Sequence, residues 1–409
     1  MEQFGISKLD LKRRNRMQIL KLLKQQGPTS RIDIAEGLEL TRAAVTIITN
    51  EMIEQGVIYE KGEVNPVGKK ATRGRKKILL DISSNYKFTF GIVIERTRLY
   101  IGLSNLRGDA LDRRTIQIPD GAGYEQTMEK VVRVVGELRN NNCLAQEQVL
   151  GIGVCISPSA YTTLCAGKLS EEGRAALLNR IKDELEERFG FPAAVDDTVR
   201  GIAAAELDFS RGEDIKPNDM VLLRYEDDVE CAIMIDQKVI RGAHNRAAQM
   251  MRLPFVSCHQ DSSHALALSY DAFIQRLREV FSVEQTPVLY AAAEGIPERI
   301  PAAIGPELLH ADPIVQEIWK KHVRDFSLAA GMLAAIVDPE EIVLYGRPFE
   351  NQLLFAEFDT KIREYLSSDA SDAGSVVRPS GISEKTLYLA GCAVAIRKFF
   401  IERGGFDVA

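Results

Sequence analysis

The sequence predicts an α/β protein in which an N-terminal winged helix-turn-helix precedes a two-lobed α/β body. Three observations carry this. Residues 29–55 read as two short helices joined by a tight turn, followed by a two-stranded basic wing. Beyond residue 85 the pattern changes from helical to alternating, and strands followed by helices occur twice. The charge divides in the same way: residues 1–82 hold 16 Lys and Arg against 10 Asp and Glu, net +6, and the remainder holds 36 against 48, net −12. Only the N-terminal segment suits a polyanion.

In the first helix of the pair, Ser30 is placed to cap, Ile32, Ile34 and Ala35 are expected to face inward, and Gly37 is expected to end the helix. Thr41 caps the second helix, whose buried stripe is Val45, Ile48, Met52 and Ile53. Its other face carries Arg42, Ala43, Thr46 and Asn50, side chains of the kind that reach base edges and phosphates. Residues 57–62 and 76–81 read as the wing strands. Lys69, Lys70, Arg73, Arg75, Lys76 and Lys77 crowd the second half of the wing. Thr41, Arg42, Ala43, Thr46 and Asn50 are therefore assigned to the major groove. Arg73 and Arg75 are assigned to the minor groove, and Arg31, Lys76 and Lys77 to the phosphate backbone. The competing reading is an ordinary helical hairpin beside a solvated basic face.

At 409 residues the chain has room for two or three domains with real cores. Hydrophobic content of 45% and charged content of 27% are those of a globular protein. No apolar run reaches membrane-span length and no signal peptide is evident, so no membrane partner and a cytoplasmic location are expected. The six cysteines have no paired spacing and read as reduced thiols. In the body, residues 87–103 form two strands meeting at 95–98, and residues 113–118 a third. An amphipathic helix covers 124–140, with Met128, Val131, Val132, Val135 and Leu138 on one face. A buried strand at 149–156 and a helix at 177–189 follow. Strands recur at 220–225, 230–235, 239–240 and 342–345, separated by a mainly helical stretch to 337. A last helix spans 387–400. The expected domains are 1–82, 83–200, 201–385, and a segment 386–409 returning to the first lobe.

The runs NRMQILKLLKQQGPTSR, GRKKILLDI, GIGVCIS, VRGIAAAE, VIRGAH, DPEEIVLYG and LAGCAVAI, in this order behind such a head, resemble the ROK family of bacterial sugar-responsive repressors and sugar kinases. The resemblance covers nearly the whole chain. It implies an actin-like, kinase-derived body and operator binding as a dimer or tetramer. It also locates the family's chemistry, and each site departs from the pattern here. In the first phosphate hairpin, Val93 stands at the acidic position, with Glu95 and Arg96 at the glycine positions. In the second, only Gly346 survives beside Tyr345 and Arg347. In the gapless register Asp197 takes the Asn position and Thr198 that of the catalytic Asp. A one-residue slip would restore Asp197 as the base. In the sugar and zinc motif Gln249, Met251 and Arg252 replace Glu, Gly and His, and of the cysteine cluster only Cys258 remains, beside Gln260 and Ala265. Cys258, His259 and His264 could only improvise a metal site. Neither a metal nor a cofactor is expected.

What remains at the expected cleft is polar: Ser157, Asp196, Asp197, Arg200, Gln249 and Arg252. The permanent donor fork of Arg252 suits an acidic or phosphorylated sugar effector. The alternative is that Arg252 pairs with Asp196 or Asp197 and the cleft is collapsed. The expected function is a DNA-binding transcriptional regulator, a repressor of carbohydrate-related genes. It reads a palindromic double-stranded operator and carries a catalytically inactive kinase-like body. The rivals are an ATP-dependent sugar kinase with a DNA-binding appendage, and an effector-independent DNA-binding protein.

Overall fold

A computed structural model describes residues 8–64, 77–165, 170–210, 216–245, 247–250, 268–366 and 374–406. The chain divides into two compact units, one of residues 1–216 and 384–409, the other of residues 217–383.

The first unit begins with the head. Helix α1 spans Lys8–Gln26, strand β1 Thr29–Ser30, helix α2 Arg31–Gly37 and helix α3 Arg42–Glu54. The wing strands are β2 (Ile58–Val64) and β3 (Lys77–Ile82), and the small sheet is ordered β1-β3-β2. Ser30 and Thr41 cap α2 and α3, accepting from the amides of Asp33 and Ala44. Two local expectations change. α2 ends at Gly37 as expected, but Gly37 is helical, and the left-handed residue that turns the chain is Glu39, at φ 54°. Gly37 instead keeps the helix close to Leu22, whose Cδ1 a Cβ there would crowd. Ile32 is exposed, because the inward stripe of this short helix is filled by Ile34 and Ala35.

The first lobe follows: β4 (Phe88–Ile94), β5 (Arg98–Asn105), β6 (Ala110–Gln117), α4 (Tyr124–Asn141), β7 (Val149–Ile156), α5 (Pro158–Leu164), α6 (Glu171–Phe189), β8 (Ala193–Asp197) and α7 (Thr198–Phe209). Its sheet is ordered β6-β5-β4-β7-β8, an antiparallel meander with two parallel strands added. All eight residues of β7 are buried, as a central parallel strand covered on both faces requires. On α4, Val134 joins the buried stripe while Val132 is only partly buried. The C-terminal helix (Leu389–Ala395), continuing as a π-helical turn to Ile401, packs on this sheet. Gly91, Gly153 and Gly391 meet there so closely that a Cβ on any of them would collide with backbone.

The head is not a separate unit. One hydrophobic cluster joins Leu20, Leu23, Val45, Met52 and Val57 of the head to Leu106, Leu150 and Ala194 of the lobe and to Ile396 and Phe400 at the C-terminal helix. Polar contacts reinforce it. Arg16 is fully buried and donates to the carbonyls of Gly404 (2.7 Å) and Gly405, two glycines in left-handed turns, with Phe406 against its guanidinium. Arg397 grips Asp208 through two 3.0 Å hydrogen bonds, and Lys24 lies 3.4 Å from the same carboxylate. Burial alone would push the Asp208 carboxyl up; Arg397 and Lys24 overcome this and hold it well below the ordinary carboxylate range. The division expected after residue 200 falls inside α7, which runs unbroken to Phe209 because its middle is buried on every side.

The second unit repeats the sheet order. Its strands β9 (Met220–Tyr225), β10 (Val229–Ile235), β11 (Lys238–Val239), β12 (Glu341–Tyr345) and β13 (Val376–Pro379) are arranged β11-β10-β9-β12-β13, again a meander with two parallel strands added. Helices α8 (Tyr270–Glu279), α9 (Pro287–Ala292), α10 (Ile300–Ala303), α11 (Pro313–Val337), α12 (Arg347–Glu350) and α13 (Gln352–Leu366) complete it. Its core is aromatic, built on Tyr225, Phe273, Trp319, Phe326, Phe349 and Phe358. No helix among the described residues is long and apolar enough to cross a membrane.

Candidate nucleic-acid interface and effector cluster

The buried stripe of α3 fixes which face is left outward. With Val45, Ile48, Thr49 and Met52 inside, Thr41, Arg42, Ala43, Thr46, Ile47 and Asn50 are exposed. The Thr41 hydroxyl accepts from the Ala44 amide and starts the helix; the Thr46 hydroxyl donates to the Arg42 carbonyl at 2.8 Å. Arg31 is a brace across the head: it donates to Thr49 Oγ1 (3.1 Å), to Glu60 Oε1 (3.0 Å) and to Asn50 Oδ1 (3.0 Å), linking α2, α3 and β2. Lys77 Nζ sits 2.6 Å from Asp33 Oδ1, and this hydrogen bond, with that from Ser30, holds the Asp33 carboxyl below its ordinary value. Arg31 and Lys77 thus each have an acidic neighbour besides any phosphate they meet. Arg73, Arg75 and Lys76 lie outside the described residues. Sequence reasoning passed over Ile47, because an apolar residue in a helix is read first as core.

In the first lobe, the strands β7 and β8 run parallel and end side by side. Ser157 follows β7 and caps α5; Asp197 ends β8 at the start of α7. Ligands of open α/β sheets bind beyond such carboxyl ends. Asp196, Asp197 and Arg200 are brought together here. Arg200 lies 3.5 Å from Asp196 and 3.2 Å from Asp197, and Arg174, from α6, pairs with the other oxygen of Asp197 and donates to the Tyr161 hydroxyl at 3.0 Å. Two carboxylates and two guanidiniums make a charge-balanced, largely buried group. Arg174 was not foreseen, since its partner is 23 residues away and no spacing signals it. Ser157 is fully buried, with its hydroxyl near Ile94 O and Ser159 Oγ. Thr198 is also fully buried at the first turn of α7. Gln249 belongs to the second unit, and Arg252 lies outside the described residues.

At the phosphate positions, Val93 is buried within β4 and Arg96 is paired with Asp120 at 2.6 Å. The backbone of Gly346 (φ 143°) approaches the Tyr225 carbonyl, which a Cβ would strike, so packing alone requires this glycine. Among the described residues no group of three or more His, Cys, Asp or Glu could hold a metal ion; Cys258, His259 and His264 lie outside them.

A head with an outward helix-turn-helix face and a basic wing, on a body whose two sheets share one strand order, defines a winged-helix protein with a sugar-kinase-type α/β body. Comparison with known proteins agrees. Residues 12–59 match the family model described as "Winged helix-turn-helix DNA-binding". The chain is 25% identical over 244 residues to a putative xylose repressor of Caldicellulosiruptor sp. (strain Rt8B.4), a match that spans 59% of this chain and 58% of that protein. It is 25% identical over 251 residues to the DNA-binding transcriptional dual regulator NagC of Escherichia coli (strain K12), spanning 61% and 59%. Among solved structures, a ROK family transcriptional regulator homologous to the E. coli MLC protein superposes with a TM-score of 0.69 at 20% identity, over 96% of this chain and 97% of that one. A ROK family glucokinase from Streptomyces griseus, in complex with glucose and AMPPNP, gives 0.57 at 17% identity over 76% and 98%. The fold is thus the ROK fold carrying a winged-helix head, and the chain resembles the family's repressors.

Proposed function

We propose that the protein is a transcriptional regulator, a repressor of carbohydrate-related genes. It binds a palindromic double-stranded operator as a homodimer or homotetramer and carries a body that senses a sugar without phosphorylating it. One observation carries the reading: the exposed face of α3, on a segment of net charge +6 in a chain whose remainder is net −12. The likeness to proteins named as a putative xylose repressor and a DNA-binding transcriptional dual regulator supports it. The test is selection of the organism's own genomic fragments by the purified full-length protein, beside Arg42→Ala. Enrichment of a few palindromic promoter fragments, reduced by the substitution, is the expected result; no enrichment at low salt overturns the reading. Point variants are preferred to deletion of residues 1–82, because the head shares its core with the lobe.

For the body, the residues set against phosphoryl transfer are Val93, Glu95 and Arg96 in the first hairpin, the ion-paired Asp197 and the buried Thr198. An assay of ATP-dependent phosphorylation across hexoses and amino sugars checks this; turnover would favour the kinase reading. The ligand proposed for Ser157, Asp196, Asp197 and Arg200 is a carbohydrate; Gln249 and Arg252 are assigned to it from the sequence alone. Arg174 and Arg200 neutralise the two aspartates, so a sugar meets a charge-balanced cluster there; an acidic or phosphorylated sugar is the class suggested by Arg252 in the sequence. A thermal-shift screen of sugars, sugar acids and sugar phosphates separates these classes.

A further inference from the structure

The outward face of α3 holds one residue that neither structure nor solvation of the head explains. Ile47 is 62% exposed, on a helix whose stripe of Val45, Ile48 and Met52 already completes the core. Single exposed apolar residues are common on surfaces, so exposure alone says little. Position says more. Ala43, Ile47 and Asn50 are spaced i, i+4, i+7, and therefore share the face on which Arg42 and Thr46 also stand. The surrounding groups narrow what this face recognises. The Thr46 hydroxyl proton is already given to the Arg42 carbonyl. Asn50 Oδ1 already accepts from Arg31, so the amide is oriented with its NH2 as the group it offers a base edge. The face therefore presents an apolar patch beside a hydrogen-bond donor. In the major groove, that pair is complementary to thymine, which alone displays a C5 methyl next to the O4 acceptor. The head's net charge of +6 makes a polyanion the occupant that fits.

We propose that Ile47, with Ala43 one turn before it, reads thymine methyl groups, and that Asn50 Nδ2 donates to thymine O4 on the same face. Arg31 is then a positioning residue that sets the orientation of the Asn50 amide. This inference rests on the DNA-binding reading and specifies which base that surface selects.

The test uses the full-length protein and the genomic fragments it enriches, amplified with either dTTP or dUTP. Uracil keeps O4 and base pairing and lacks only the methyl. Wild type is expected to bind the uracil fragment more weakly, by about fourfold for each methyl contacted, the value of one buried methyl group. Ile47→Ala is expected to weaken binding to the thymine fragment and to abolish most of the thymine-to-uracil ratio. As Ile47 contributes nothing to the core, this variant folds. Equal wild-type affinity for the two fragments, or an undiminished ratio in Ile47→Ala, overturns the inference and leaves the regulator reading standing. Absence of any enriched fragment overturns both.

Discussion

The two sides of the head differ in how they treat charge. On the outer side, Arg42 and Asn50 stand in solvent on α3, with only light intramolecular ties. On the inner side, Lys24, Asp208 and Arg397 form an ion group around a buried carboxylate, and Arg16 is sealed beneath the C-terminal turn. Exposed ion pairs are worth little and are easily exchanged for a new partner; buried ones, once one member is removed, leave an uncompensated charge. The outer side is thus free to meet phosphates and bases, and the inner side is committed to holding the head in place on the first lobe.

Substitutions can break this contrast. The largest effect is expected for Asp208→Ala, which strands Lys24 and Arg397: a loss of about 3–5 kcal/mol in stability by chemical denaturation, with DNA binding falling only through unfolding. A loss below 1 kcal/mol would mean the inner side is no different from a surface pair. Next comes Arg16→Met, which keeps the stem but removes the hydrogen bonds to Gly404 and Gly405, for about 2 kcal/mol. Arg42→Ala should leave stability within about 0.5 kcal/mol of wild type and lower affinity for the selected fragment by about 1–3 kcal/mol, more than for random DNA. Equal losses on both DNAs would contradict its groove assignment. Lys77→Ala should weaken both alike and reduce the salt slope by at most about one unit, the Asp33 contact having already taken part of its charge.

Acid sharpens the same comparison. Asp208 titrates below the unfolded value of about 3.9, so its contribution is fully present above that pH and shrinks as pH falls further, toward its depressed folded value. Wild type should therefore lose stability below about pH 4 more steeply than Asp208→Asn, which carries no proton-linked group there. Parallel curves would show that the carboxylate is not held by its partners.

The elements that the sequence displays are those whose signal is local. The α3 stripe and its Thr41 cap, the strand at residues 149–156 and the strands β9 and β12 follow from periodicity within one element. Strand β13, of four residues, is too short to stand out, and β8 and α13 are not picked out by the sequence reading either. Gly37 ends α2 without the left-handed turn glycine usually supplies: a Cβ there would crowd Leu22, and Glu39 makes the turn. In the candidate effector cluster, the neighbours Asp196, Asp197 and Arg200 are legible as an i, i+1, i+4 set, while Arg174 enters from another helix.

What the sequence by itself determined is the class of each part. A cationic head with a recognition-type helix and an acidic body with eroded phosphate sites are both functions of residue type and spacing along one element. What only the tertiary structure decided is how charges are partnered. Lys24 meets Asp208, Arg397 meets the same carboxylate, and Arg16 meets Gly404, across separations of nearly 200 to nearly 400 residues. No local pattern encodes such pairs. They follow from the closure of the C-terminal helix on the first sheet and from the need of every buried charge for a partner.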